Sequence, residues 1–302
     1  MLFLPLRAFL VSFQALQGFS FFLYFQLLLV PYKSLFIIIK SIILYERCGI
    51  FLNGVYLLAD SHCHFDSFKG RKELIEAYSN AGVKFVVSNA TNPDSVKAHL
   101  GFADEHPSLL IALGLHPVDI LSLSSEEIDS SFSIIKDNIG KAVAVGEVGL
   151  DFKYADESQR VFQEDVFRRF INLATENKKP LVVHARYAET QCLNILEELS
   201  AKNVQMHWFT NSKKTSKRAV ELGYFISCGP IILSDLQTQS VVKEIPLENL
   251  LLETDCPVPF LGVQSDPSWI SRVCEKVAEI KCISPEKVSL VTGKNFSKLF
   301  HK

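Results

Sequence analysis

The chain has 302 residues, of which 48% are hydrophobic and 21% charged, and its formal net charge at pH 7 is −2. A chain of this length and apolarity can bury a core large enough for one large domain. The near-neutral charge argues against a protein that binds nucleic acid through a broad basic surface. The seven cysteines are odd in number and irregular in spacing, which indicates reduced thiols and a cytoplasmic protein rather than a disulfide framework.

The N-terminal segment, residues 1–54, differs in composition from the rest of the chain. Residues 8–32 contain no charged side chain and are rich in Phe and Leu. A run of this length can cross a bilayer. Two interpretations stay open: a membrane anchor, which would associate the protein with a membrane through residues 8–32, or a misassigned start upstream of a domain that begins near residue 55.

Residues 55–302 alternate short apolar runs with longer amphipathic runs. Continuously apolar strands are typical of a parallel sheet that helices cover. The predicted strands are 55–59, 83–88, 109–113, 141–146, 181–184, 204–207, 224–228 and 249–254. Helical periodicity marks 71–82 and 158–177, and Pro after a capping residue predicts helix starts at Asn92-Pro93 and Ser284-Pro285. Eight strands alternating with helices predict an α/β fold, a single-domain (β/α)₈ TIM barrel over residues 55–302.

Polar residues collect where the predicted strands end, which is where such barrels carry their chemistry. Five of the eight histidines stand there, together with two carboxylates. These residues are His62, His64, His116, Glu147, His184, His207 and Asp255. Single histidines at strand ends are more often structural than ligands, but this number converging from different strands predicts one site at the barrel mouth.

Imidazole and carboxylate together suit divalent metals. His62 and His64 are two residues apart and can reach one ion from one strand end. Glu147 and Asp255 could complete that ion's ligands, while His184 and His207 begin a second set. Six candidate ligands exceed what one tetrahedral ion needs, so we expect two divalent ions, Zn, Mn, Mg, Ni or Co.

At these residues the sequence resembles the TatD family of metal-dependent DNases, within the amidohydrolase-like barrels. The matching motifs follow in family order: DSHCHFD (60–66), GLHP (114–117), GEVGLDF (146–152), PLVVHARYA (180–188), MHWFTNS (206–212), GYFISCGPII (223–232), LLLETDCP (250–257) and NFSKLF (295–300). The resemblance implies that His62 and His64 bind the first ion, that Glu147 bridges both ions and that His184 and His207 bind the second. Asp255 would bind the first ion and take the proton of the attacking water. One departure is HWFTN at 207–211, where the family usually has H-C-F-[ST]-G.

The resemblance and the candidate ligands together predict a divalent-metal-dependent hydrolase that cleaves phosphodiester bonds of DNA through a water activated by two metals. Asp255 and Glu147 are the catalytic candidates, and His116 and Arg186 are candidates for phosphate contacts. Trp208, beside His207, could stack on a base or a sugar, with core packing as the alternative. An amidohydrolase-like deacylase or esterase with the same metal site is the alternative function. DNA or small nucleic-acid fragments are the expected substrate, and no protein partner is evident.

Overall fold

The computed structural model of the chain describes residues 58–209 and 212–301. Within them, eight strands form one parallel sheet in chain order. These are β1 (Leu58–Cys63), β2 (Val83–Asn89), β3 (Leu109–Leu113), β4 (Ala144–Asp151), β5 (Leu181–Arg186), β6 (Val204–Met206), β7 (Phe225–Cys228) and β8 (Leu250–Leu252). The segment after β8 returns to β1, since the Asp255 amide donates to the His62 carbonyl (2.9 Å) and the His64 amide donates to the Cys256 carbonyl (2.7 Å). The predicted (β/α)₈ barrel is thereby confirmed.

Helices follow the strands and cover the outside of the barrel. They are α1 (Arg71–Asn80), α2 (Pro93–Phe102), α3 (Ser125–Asp137), α4 (Glu157–Glu176), α5 (Glu189–Glu198), α6 (Lys213–Glu221), α7 (Leu236–Glu244), α8 (Ile270–Lys281) and α9 (Pro285–Phe300). The two predicted Pro starts are confirmed. Asn92 accepts from the amides of Asp94 and Ser95, and Ser284 accepts from the amide of Lys287.

The strands β1 and β4 continue further than the sequence predicts. Predicted ends at residues 59 and 146 become Cys63 and Asp151. Pairing shifts register between Asp60 and Cys63 in β1, and between Val145 and Val148 in β4. Such irregularities re-aim side chains near functional sites, and these two carry His62 and Glu147.

The interior of the barrel is filled at one end by apolar side chains, two from β3 and one from each other strand except β6. These are Ala59, Val87, Leu110, Ala112, Ala144, Val182, Phe225 and Leu251, and α9 adds Phe296, Leu299 and Phe300. The Asn295 side-chain amide in α9 donates to the carbonyls of Leu247 and Leu250, both at 2.8 Å. The last helix therefore closes this end of the barrel and leaves the other end for chemistry.

A short hairpin follows β8 before the chain enters α8. Its strands are β9 (Pro259–Phe260) and β10 (Val263–Gln264), paired antiparallel across a two-residue turn. Leu261 and Gly262 in that turn have φ of 51° and 78°, the backbone of a type I′ turn.

The predicted hydrophobic segment 1–54 and its membrane association lie outside the described residues. Among the helices of residues 58–209 and 212–301, none has the length and apolarity that crossing a membrane requires.

Candidate metal centre

Four side-chain atoms converge at the open end of the barrel, from β1 and the residue after it, from β4 and from the segment after β8. The Nε2 atoms of His62 and His64 are 3.3 Å apart. Each lies 3.4 Å from Glu147 Oε2, and Asp255 Oδ1 is 3.4 Å from His62 Nε2 and 3.3 Å from His64 Nε2. All four side chains are largely buried, so this first donor group is screened from water.

The spacing within the first donor group fits a divalent ion. Two donor atoms that bind one Zn²⁺ ion at about 2.0–2.1 Å and at a tetrahedral angle lie about 3.3–3.4 Å apart, which matches the five spacings given above. Two imidazole nitrogens with two carboxylate oxygens are a donor set that borderline divalent ions accept. The residues present therefore fit the predicted metal.

A second donor group forms around the other oxygen of Glu147. Oε1 is 2.8 Å from His184 Nδ1, 3.7 Å from His116 Nε2 and 3.9 Å from His207 Nε2. His207 Nε2 is also 3.8 Å from Asp255 Oδ2. Glu147 thus presents one oxygen to each group, while the second group is looser than the first.

Most imidazoles of the centre have their other ring nitrogen fixed by a hydrogen bond. His64 Nδ1 donates to the carbonyl oxygen of Asn89 (3.0 Å), and His207 Nδ1 donates to Glu253 Oε2 (2.8 Å). His184 Nε2 lies 3.1 Å from Asp151 Oδ2. Such partners orient a ring and leave the opposite nitrogen lone pair for an ion.

His116 has the opposite arrangement and is a hydrogen-bond donor. Its Nδ1 accepts from the Val118 amide at 3.2 Å. Burial lowers the pKa of His116 to about 4, so the ring is neutral near pH 7. A neutral ring whose Nδ1 accepts must carry its proton on Nε2. That proton faces His184 and Glu147, which suits contact with an oxygen better than ligation of a metal.

The carboxylates of the centre control the protonation of its imidazoles. Burial by itself lowers the pKa of His62, but Glu147 and Asp255 together raise it well above its ordinary value. The pKa of His184 is raised to about 9 against the effect of burial, because Asp151 and Glu147 flank the ring. A divalent ion competes with these protons, so metal binding releases protons and weakens as the pH falls.

Comparison with known proteins decides the family. The model of the family described as TatD related DNase matches residues 59–301. The chain belongs to this family. The TatD-family relatives include the uncharacterized metal-dependent hydrolase YabD of Bacillus subtilis, 33% identical over 258 residues, or 81% of this chain and 99% of that protein. Human deoxyribonuclease TATDN3 is 33% identical over 260 residues, covering 81% of this chain and 95% of that protein.

A solved structure of the same family has the same barrel. The TatD homolog YJJV from Escherichia coli K12 superposes with a TM-score of 0.74 at 28% identity, covering 81% of this chain and 98% of that protein. The family expectation from the sequence motifs is confirmed.

The sequence assigns Arg186 to a phosphate contact, which stays a prediction, and it assigns no role to Asn89. Arg186 is exposed at the end of β5, with its guanidinium carbon 5.5 Å from the centre of the Tyr154 ring, outside both donor groups. The sequence does not predict that the Asn89 carbonyl orients His64, because every residue has a backbone carbonyl and residue type does not show which one accepts. Asp151 and Glu253 could be anticipated as supporting carboxylates from their place in the motifs.

Proposed function

We propose that this TatD-family protein is a divalent-metal-dependent hydrolase that cleaves phosphodiester bonds of DNA. The observation that carries the proposal is Glu147, whose two oxygens each belong to a different donor group. A carboxylate placed in this way can join two ions. The family and the names of the curated relatives support hydrolysis of an ester bond in nucleic acid.

His62, His64, Glu147 and Asp255 would hold the first ion, and Glu147, His184 and His207 the second. The mixed donor set favours Zn²⁺, Mn²⁺, Ni²⁺ or Co²⁺ over Mg²⁺, which prefers oxygen ligands. When bound, the ions lower the pKa of water to about 7 and neutralise charge on the phosphoryl oxygens.

Asp255 is the proposed acceptor of the water proton. Burial opposes its ionisation, but His207 and His62 together hold its pKa below the ordinary value, so the group is a carboxylate at neutral pH. Its Oδ1 faces His62 and His64, which leaves Oδ2 to take the proton.

His116 and Arg186 are proposed to contact the phosphate oxygens. The Nε2–H of neutral His116 points toward the second donor group and can donate to an oxygen there. Arg186 stands two residues beyond His184, and its planar guanidinium suits a phosphate that extends out of the mouth.

The test is cleavage of a labelled single-stranded oligonucleotide by purified protein, with and without added Mn²⁺ or Zn²⁺, beside ester and amide panels. We expect metal-dependent cleavage that falls about 10²–10⁴-fold in Glu147→Gln and in Asp255→Asn. Asp137→Asn, at an exposed carboxylate on α3, is the matched control and keeps full activity. Cleavage that survives both substitutions would refute the assigned site. Turnover of esters or amides alone would establish the deacylase or esterase function instead.

A further inference from the structure

An uncharged cleft lies beside the metal centre, at the ends of β6, β7 and β8. Its volume is about 230 Å³, and its lining includes Trp208, Ile231, Thr254, Phe260 and Leu261. None of the residues that line it carries a charge. Burying a phosphate or an ion against such a lining would be costly, whereas a flat neutral ring would be well accommodated. The volume is below that of pockets for drug-sized ligands, which indicates a fragment of about one ring system.

The cleft and the metal centre share a buried carboxylate. Glu253 Oε2 accepts from His207 Nδ1, and Glu253 Oε1 accepts from the Trp208 amide at 2.9 Å. The Trp208 backbone is held at φ 43°, and the centroids of the His207 and Trp208 rings are 6.1 Å apart. Trp208 is partly exposed, so a ligand at the metal centre has an aromatic face beside it.

The far wall of the cleft is the hairpin β9–β10, which exposes apolar side chains. Leu261 is 78% exposed and Val263 56% exposed. Leu261 also has φ 51°, a backbone region that Leu disfavours and Asn or Gly accepts readily. Leu261 also lines the cleft, so its exposed side chain is free to contact a ligand that enters there.

We propose that this cleft binds the nucleobase of a nucleotide adjacent to the scissile phosphate, stacked on Trp208 and covered by Leu261. The inference rests on the proposed function and adds a base-binding subsite to it. Aromatic stacking recognises every base through its flat face, so the subsite contributes affinity without strict sequence preference. Placement of one base beside the ions would also align its phosphate with the donor groups.

Dinucleotides test the subsite, because they contain a single cleavable bond. We compare thymidylyl-thymidine with its two analogues in which one nucleoside is an abasic tetrahydrofuran. In the wild type, loss of the base on one side of the phosphate is expected to raise KM by about 5- to 150-fold, the range of one stacked base. In Trp208→Ala that difference disappears, while Trp208→Phe retains most of it. A Trp208→Ala variant with an unchanged KM for thymidylyl-thymidine, or with an equal rise for all three substrates, would overturn the proposal.

A second variant separates binding from hairpin stability. Leu261→Asn creates an Asn-Gly turn, which suits the observed backbone better than Leu-Gly. We expect its thermal stability to be equal to or above that of the wild type and its KM for thymidylyl-thymidine to rise. Val161→Ala, which removes an exposed apolar side chain on α4, is the control and leaves KM unchanged. A Leu261→Asn protein with the wild-type KM would remove Leu261 from the subsite.

Fluorescence tests the subsite without catalysis. The protein has two tryptophans, so Trp269→Phe leaves Trp208 as the sole tryptophan reporter. Deoxyadenosine monophosphate is expected to quench this emission saturably, and deoxyribose 5-phosphate, which lacks the base, is not. Equal effects of both compounds, or none, would contradict the subsite. If no DNA is cleaved while base-dependent quenching persists, the proposed function fails and the base subsite stands.

Discussion

At the scale of single residues, Glu253 couples the metal centre to its surroundings. The residue is fully buried, and its two oxygens accept from His207 Nδ1 and from the Trp208 amide. The bond to Nδ1 fixes the tautomer whose Nε2 lone pair faces the second donor group. A buried carboxylate with two such partners is a positioning group rather than a ligand.

Glu253→Gln should therefore weaken metal binding without removing a ligand. We expect the affinity for the more weakly held ion to fall about 10- to 100-fold, because His207 loses the partner that orients it. Competition with a chromophoric chelator measures this affinity. Glu126→Gln, at an exposed residue of α3, is the matched control. An unchanged affinity in Glu253→Gln would show that His207 is oriented by other contacts.

His99 predicts a pH dependence of folding that is separate from the ligands. Its ring lies buried on α2, with Nδ1 2.7 Å from the Ser95 carbonyl and Nε2 2.7 Å from Ser88 Oγ. Burial lowers the pKa of His99 to about 4. Between about pH 4 and the unfolded value of about 6.5, the unfolded chain binds more protons than the folded one. The free energy of unfolding therefore falls as the pH drops through this window, by about 3 kcal/mol from His99.

Urea denaturation of metal-free protein from pH 4.5 to 7.5 measures the effect. His99→Gln should have the shallower pH dependence, although it is the less stable protein at pH 7. Val161→Ala, which removes an exposed side chain that does not titrate, is the control and keeps the wild-type slope. Parallel curves for the wild type and His99→Gln would contradict the assignment of the slope to His99.

At the scale of elements, the sequence predicted all eight strands but not the ends of β1 and β4. The apolar runs in each strand reflect burial on both faces, which is visible in the residue types. The ends were missed because Asp60, His62 and Glu147 are buried polar residues, and polar residues ordinarily mark the end of a strand. Register shifts at these positions arise from contacts between strands, which one strand's sequence does not encode.

The close approach of β4 and β5 depends on Gly149. Gly149 is paired with His184 in the ladder and has φ 144°, and a Cβ built there would lie 2.0 Å from the His184 carbonyl oxygen. Gly149→Ala must therefore separate two strands that carry proposed ligands. We expect a loss of unfolding free energy of about 2 kcal/mol or more and a loss of activity.

Gly101→Ala is the matched control for this substitution. Gly101 lies in helix α2, and a Cβ there meets nothing within 4 Å. The change should stabilise the protein by up to about 1 kcal/mol, because Ala favours the helix. Denaturant midpoints of both variants, with activity, give the comparison. A Gly149→Ala protein as stable as the wild type would mean that β4 and β5 can separate without cost.

At the scale of the whole molecule, the sequence predicts which residues share the candidate site, but it does not predict the local geometry around them. Strand ends in a parallel barrel meet at one mouth, so the sequence predicts that residues such as His62, Glu147 and Asp255 lie close together. The roles of individual atoms could not, since the donor character of His116 depends on the Val118 amide. The base-binding cleft depends on the φ of Trp208 and Leu261, which residue types alone do not reveal.

The first donor group lies at the seam of the barrel, between β1 and the segment after β8. Thr254 and Asp255 there bond to Asp60 and to the His62 carbonyl. An ion held by the proposed ligands His62, His64 and Asp255 would add a further link across the seam. At a free concentration 100 times its Kd, a metal that binds only the folded state adds about 2.7 kcal/mol to its stability.

Removal of metal by a chelator should therefore lower the Tm, and added Zn²⁺ or Mn²⁺ should restore it. Differential scanning calorimetry at several metal concentrations measures the shift. In Asp255→Asn, one link across the seam is weakened, and the dependence of Tm on metal should shrink. If the Tm of the wild type does not change with metal concentration, ion binding does not stabilise the closed barrel.

The same seam has a consequence for how the molecule is made. With the proposed ligands, the ion at the seam joins residues translated at the start of the barrel to Asp255, near its end. A growing chain on the ribosome offers His62 and His64 early but lacks the carboxylate that completes the set until β8 has emerged. Tight metal loading must therefore follow almost complete translation. With these ligands, the ion would stabilise only chains that contain Asp255. Chains that end before residue 255 would lack this stabilisation and would be more open to proteolysis.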